Sequence, residues 1–185
     1  DANVAIGYQA LFGGAVQQNY NVAIGYQAHD NAAAAADNCV IIGSLAGRGS
    51  LTSAADGTVA IGKSALTALV GGANNVAIGY QTMLEDTASA NNTVVGYQAM
   101  LGGGGFTNEH NVFMGSQAGG GQWATAASNY NVGIGSLAMQ GVMNAAQHNT
   151  SVGYASSNNL TTGDYNTSFG STAGNAITTG IGNTA

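Results

Sequence analysis

Charge is what this chain lacks most. Of 185 residues, 2 are Lys or Arg and 8 are Asp or Glu, so charged residues make up 5% and the formal net charge is −6. An ordinary soluble domain carries about 25%. Without clustered Lys and Arg there is no electrostatic footprint for nucleic acid and no polybasic patch for an anionic membrane surface. Proline is absent, and the 30 glycines do not follow the period of three that collagen requires. The single cysteine, Cys39, excludes an intrachain disulfide, so stability has to come from elsewhere. No run approaches the ~18 apolar residues of a membrane-spanning helix. The alanine stretch at residues 32–36 is far too short for one. The chain opens at Asp1 without a Met or a secretory leader, and no capping segment flanks its repeats. It is therefore expected to be a piece of a longer protein.

What the chain has instead is repetition. NVAIGYQA at residues 3–10 returns unchanged at residues 21–28, and NVAIGYQT begins at Asn75. Anchored on the glycine of the AIG step, the pattern recurs at Gly7, Gly25, Gly43, Gly62, Gly79, Gly96, Gly115, Gly135, Gly153 and Gly170, at intervals of 17 to 20 residues. A weaker eleventh copy, TTGIGNTA, places the glycine at Gly182. The residue before the anchor is always apolar: Ile6, Ile24, Ile42, Ile61, Ile78, Val95, Met114, Ile134, Val152 and Phe169. Two residues further back every side chain is β-branched: Val4, Val22, Val40, Val59, Val76, Thr93, Val112, Val132, Thr150 and Thr167. The residue between them is usually small, with Ile41, Val94 and Phe113 as exceptions. Alternation of period two over a short run is a strand signature. Val and Ile are expected to face the inside of the fold, and Ala and the anchor Gly the outside.

Asn opens eight of the ten full copies, at Asn3, Asn21, Asn75, Asn92, Asn111, Asn131, Asn149 and Asn166, while Cys39 and Thr58 break the column. An amide at a turn can bond its own backbone, and amides stacked at one position bond each other as a ladder. Ala closes most copies, and the variable segments between them read as turns plus a second, weaker strand.

A period near 18 is too short for a helical repeat, which takes about 33 to 47 residues, and the Leu pattern of leucine-rich repeats is missing. Each copy is therefore one coil of a β-solenoid, stacked on the next at ~4.8 Å. The expected architecture is all-β: one repeat domain over residues 1–185 with about ten coils. One Val and one Ile per coil make a thin core at ~25 cal/mol per Å². The small-residue face is expected to pack against copies of itself, and three chains around an axis would bury it.

The Asn-Val-Ala-Ile-Gly run followed by Ala resembles the head repeat of YadA-like trimeric autotransporter adhesins, whose heads are trimeric left-handed parallel β-rolls. The Tyr-Gln-Ala tail, as at Tyr8, Gln9 and Ala10 and again at Tyr97, Gln98 and Ala99, resembles related repeats of phage and viral fibre proteins. The resemblance covers nearly the whole chain. It implies a left-handed parallel β-roll in a homotrimeric fibre, with two further copies of the chain as partners. It implies an extracellular place, on a virion as a tail fibre or on a bacterial cell surface, and attachment to a host glycan or receptor.

Chemistry-bearing residues are sparse. His110 and His148 share one coil position but lie two coils apart, about 10 Å along the stack, too far to share a metal. Neither they nor His29 form a His-x-His or HExxH pattern, and no metal or cofactor is expected. Cys39 lacks a nearby His partner for nucleophilic chemistry and reads as a small buried residue. Apart from Asp1, the acids all fall in the connections: Asp30, Asp37, Asp56, Glu85, Asp86, Glu109 and Asp164. They read as solvated turn residues. The four glycines at residues 102–105 are not a phosphate loop, because no Lys follows.

Tyr8, Tyr26, Tyr80, Tyr97 and Tyr154 share the place after the anchor. They read as a stabilising ladder, with a carbohydrate platform as the alternative. Trp123, in the long connection at residues 119–130, and Phe106 are the candidate ligand contacts. The expected function is a structural and adhesive fibre segment, not an enzyme. A fibre-borne polysaccharide-degrading enzyme would need paired carboxylates. Ice binding would need regular Thr arrays, whereas Thr93, Thr150 and Thr167 share a column that holds Val elsewhere. Arg48 and Lys63, the two trypsin sites, are expected to be hidden in the coil.

Overall fold

In each full copy the triplet of a β-branched residue, a central residue and an apolar residue forms a three-residue strand: β1 (Val4–Ile6), β2 (Val22–Ile24), β3 (Val40–Ile42), β4 (Val59–Ile61), β5 (Val76–Ile78), β6 (Thr93–Val95), β7 (Val112–Met114), β8 (Val132–Ile134), β9 (Thr150–Val152) and β10 (Thr167–Phe169). In this computed structural model, residues 2–13, 17–31, 36–123 and 126–185 are described; Asp1 and residues 32–35 of the alanine stretch lie outside them. The ten strands form one parallel sheet in sequence order, each paired in register with the next, Val4 with Val22 and Ile6 with Ile24 for example. The chain is a parallel β-solenoid of about nine turns.

The expected inside and outside of the strand are reversed. The central residues Ala23, Ile41, Ala60, Ala77, Val94 and Phe113 are fully buried, whereas the flanking Ile78 is 36%, Met114 42% and Ile134 38% exposed. The reason lies four residues after each anchor glycine. The backbone there takes the left-handed conformation, with φ between 47° and 63° from Leu11 to Gly174, and the side chain turns inward beside the strand centre. Two positions thus share the interior of every coil. Where the strand centre is Ala, the partner is large: Leu66 beside Ala60, Met83 beside Ala77. Where the centre is Ile41 or Phe113 the partner is Gly47 or Gly119, whereas Val94 keeps a large buried partner in Met100. A Cβ added at Gly119 would lie 2.8 Å from Phe113 Cδ1, and one at Gly47 would lie 3.1 Å from Ile41 Cδ1. In those coils the interior keeps its volume by exchanging it between two positions.

The anchor glycine answers to the neighbouring coil, not to a neighbouring chain. From Gly7 to Gly170 it holds φ between 128° and 145°, outside the range of an L side chain. A Cβ at Gly7 would also lie 2.5 Å from the Gly25 carbonyl oxygen. Both conditions recur in nearly every coil, which is why the column tolerates nothing else.

The expected second strand is not formed among the described residues. That wall has one 3-10 turn (Ser53–Ala55) and isolated bridges such as Ala90 to Glu109. It is held rung to rung by single backbone bonds, with Val70 N donating to Thr87 O at 3.0 Å and Thr161 N to Thr178 O at 2.8 Å. Connections of unequal length cannot keep a common period-two register. The eleventh copy is also placed differently. Asn183 donates from N and Nδ2 to Asn166 Oδ1 at 3.0 and 2.8 Å, so it opens the next rung. Gly182 matches Tyr165 instead, since its N–H bonds Asp164 O as that of Tyr165 bonds Gln147 O.

Candidate functional site

The asparagine column is a buried ladder, as its stacking predicts. Asn111 donates from N and Nδ2 to Asn92 Oδ1 at 2.9 and 3.1 Å, and Asn131 does the same to Asn111 Oδ1 at 3.0 and 3.2 Å. Each amide also reaches across the coil, Asn111 Nδ2 to Ser128 O at 2.9 Å and Asn131 Nδ2 to Ala146 O at 2.9 Å. The column thus pins the strand to the opposite wall. Cys39, where the ladder lapses, is buried; its N–H bonds Asn21 Oδ1 at 2.8 Å, and burial pushes its thiol pKa up. That is an inert structural thiol, as its sequence context indicates.

The tyrosines stack as a ladder where they adjoin. Tyr8 and Tyr26 lie 5.5 Å apart at 12°, Tyr80 and Tyr97 5.6 Å apart at 7°. Each pair buries one face of each ring, as a ladder does, while Tyr8 and Tyr97 remain 65% and 50% exposed. A second ring column escaped the sequence reading. His110, Tyr130, His148 and Tyr165 stack at 5.0, 4.9 and 4.9 Å with planes within 5°. The two histidines are indeed two rungs apart, with a tyrosine between them. Aligning the residue five before each anchor would have revealed it.

Trp123 is not an exposed contact. It is 3% exposed and packs edge-on against Phe113 at 5.9 Å and 69°, with its Nε1–H unpaired. The long connection folds the ring back against the buried Phe113 at the centre of β7. Residues 124–125 of that connection lie outside the described residues. Phe106 is half-buried, with its carbonyl accepting from Ser89 Oγ at 3.1 Å.

The acids are not uniformly solvated. Asp86 is fully buried; its Oδ1 accepts from Ser89 N at 2.9 Å, its Oδ2 has no partner, and burial pushes its pKa up to about 6. Glu85 beside it is exposed, so the adjacent pair diverges. Asp37, Asp56 and Asp164 each accept a backbone N–H from the preceding coil, at 2.7, 2.9 and 2.7 Å. They are structural acceptors. His29 occupies the inward position four after its anchor, fully buried with both ring nitrogens unpaired, and burial lowers its pKa to about 4. Among the described residues no three His, Cys, Asp or Glu side chains are grouped to hold a metal, and no helix is long and apolar enough to cross a membrane. Arg48 and Lys63 are exposed rather than hidden, although Gln81 N bonds Lys63 O at 3.0 Å.

The largest unpartnered feature is the outer face of the sheet. Val4, Ile6, Ile78, Met114, Ile134 and Phe169 stand 36 to 77% exposed along it. At ~4.8 Å per rung, ten rungs make an apolar stripe some 45 Å long. The fold and this surface define a repeat protein of the parallel β-solenoid class with one apolar sheet face. Comparison with known protein families, with curated proteins and with solved structures returned no match.

Proposed function

We propose that this chain is a structural and adhesive segment of an extracellular homotrimeric fibre, of the kind that phage and virus tail fibres use to attach to a host. The observation that carries the reading is the apolar stripe. A single chain leaves Ile6 58% and Phe169 77% exposed on a face that repeats without interruption. A large contiguous apolar patch marks an interaction surface. Three copies around an axis would cover it while keeping every coil equivalent. This replaces the small-residue face as the surface that meets other copies, because Ala lies inside. The head of a bacterial trimeric autotransporter is the alternative setting for the same assembly.

The test is light scattering on the 185-residue chain. A mass three times 18.2 kDa is expected. The double variant Ile78→Lys/Ile134→Lys places two charges on the stripe, and it should dissociate or fail to fold. A stable, folded wild-type monomer at micromolar concentration would overturn the reading.

A further inference from the structure

The first four coils carry a cleft that the repeat does not explain. The column five residues after the anchor reads Phe12, Asp30, Arg48 and Thr67 in successive coils, and all four line one cavity of about 480 Å³ together with Gln9 and Gln27. That volume falls in the range of small-molecule sites. On a rung spacing of ~4.8 Å the column runs about 14 Å from Phe12 to Thr67.

The cleft's chemistry is specific. Phe12 is a large apolar ring, 61% exposed, on a chain with few other reasons to display one. Asp30 has a side chain only 9% exposed, yet its Oδ1 has no hydrogen-bond partner, and the nearest cation is Arg48 Nε at 3.7 Å. A buried carboxylate oxygen without a donor calls for one. Gln27 Nε2 donates to Gln9 Oε1 at 2.9 Å, which leaves the other half of each amide for a further partner. Thr67 donates its hydroxyl to Leu45 O at 3.2 Å, so its oxygen can still accept. Asp30 and Arg48 balance in charge, so the cleft has no preference for an ion.

We infer that this cleft, formed by Phe12, Asp30, Arg48, Thr67 and the Gln9–Gln27 pair, binds a neutral pyranose unit of a glycan. The Phe12 ring takes the apolar C–H face of the sugar. Asp30 accepts from a hydroxyl through Oδ2 while its buried Oδ1 stays beside Arg48, and Arg48 and the amides bridge adjacent hydroxyls with planar, paired donors and acceptors. Unlike the stacked tyrosines, Phe12 has no ring above or below it in its column. The inference gives the adhesive reading its ligand class and rests on that reading only for its setting.

Saturation-transfer NMR with the methyl pyranosides of glucose, galactose, mannose and rhamnose tests it. At least one should receive saturation, strongest at ring C–H protons. Phe12→Ala and Asp30→Asn should each weaken that sugar at least about ten-fold, or ~1.4 kcal/mol. Tyr154→Ala, in another column, should leave it unchanged. Circular dichroism establishes that each variant is folded. Three results overturn the inference: no transfer to folded wild type from any of the four, unchanged affinity in Phe12→Ala, or tighter binding of glucuronate than of methyl glucoside. Light scattering on the same samples keeps the two readings apart. A trimer that binds no sugar sinks only the glycan site, and a monomer that binds one sinks only the fibre.

Discussion

The volume exchange inside each coil can be tested by moving it. Phe113 is fully buried and has Gly119 beside it; a Cβ at Gly119 would lie 2.8 Å from Phe113 Cδ1. Phe113→Ala leaves a void and should cost about 3–5 kcal/mol. Gly119→Met alone drives a side chain into the Phe113 ring and should cost about 1–3 kcal/mol by overpacking. The left-handed backbone adds little to this, because Met83 and Met139 hold φ of 50° and 49° at the same coil position. Made together, the two changes recreate the Ala77–Met83 arrangement of coil five. The double variant should then lose no more than about 2 kcal/mol. On the midpoints of those losses its coupling energy would be about −4 kcal/mol, at or beyond the upper end for residues in contact. Guanidinium unfolding at one fixed protomer concentration measures this, followed by fluorescence of Trp123, the chain's single tryptophan, which packs on Phe113 at 5.9 Å. If the double variant loses the sum of the two single losses, the two positions do not share one volume and the account of the core is wrong.

Two buried titrating groups should oppose each other. Burial lowers His29 to about 4. Between that pH and ~6.5 the unfolded chain binds a proton that the native chain refuses, so stability rises with pH. Burial raises Asp86 to about 6. From ~4 upward to that pH the native chain keeps a proton that the unfolded chain has lost, so stability falls with pH. Each effect is about 3 kcal/mol with opposite sign. His29→Leu should therefore expose a fall in the denaturation midpoint between pH 4 and 6, and Asp86→Asn a rise; equal slopes in both variants would refute the pairing. In the asparagine ladder, Asn111→Ala strands Asn131 N and Ser128 O in the dry interior. It should cost roughly 3 kcal/mol or more, whereas Asn3→Ala on the exposed first rung should cost about 1 kcal/mol. Thermal melts compare the two, and similar losses would show that the ladder is not what holds the wall.

The rung was legible in the sequence because stacking imposes the same constraint many times over. Gly7 through Gly153 meet one steric condition, and Asn75 through Asn166 one hydrogen-bond condition, so their columns stand out against varied neighbours. Period two gave the strand but not its facing, since alternation alone does not say which set is inward. The natural guess sends the larger residues inside. It fails here because a second inward position, supplied by a left-handed residue such as Leu66 or Met83, fills the interior that Val and Ile were expected to fill. That residue lies outside the strand, where period-two reading does not look.

Trp123 and Phe12 show the same limit from two sides. Both are large rings in segments where the repeat lapses; sequence reading singled out Trp123 and passed over Phe12. What separates them is the interior several residues away. Trp123 finds the buried Phe113 ring 5.9 Å away and packs edge-on against it, so the ring turns in. Phe12 occupies an outward column next to Leu11, which already takes the inward place in its coil, so its ring stays 61% exposed. In this solenoid the facing of a lapse follows the interior side chain it can reach, which Trp123 finds in Phe113. Function is then to be sought where a coil is already full and still carries a large side chain, as the first coil does.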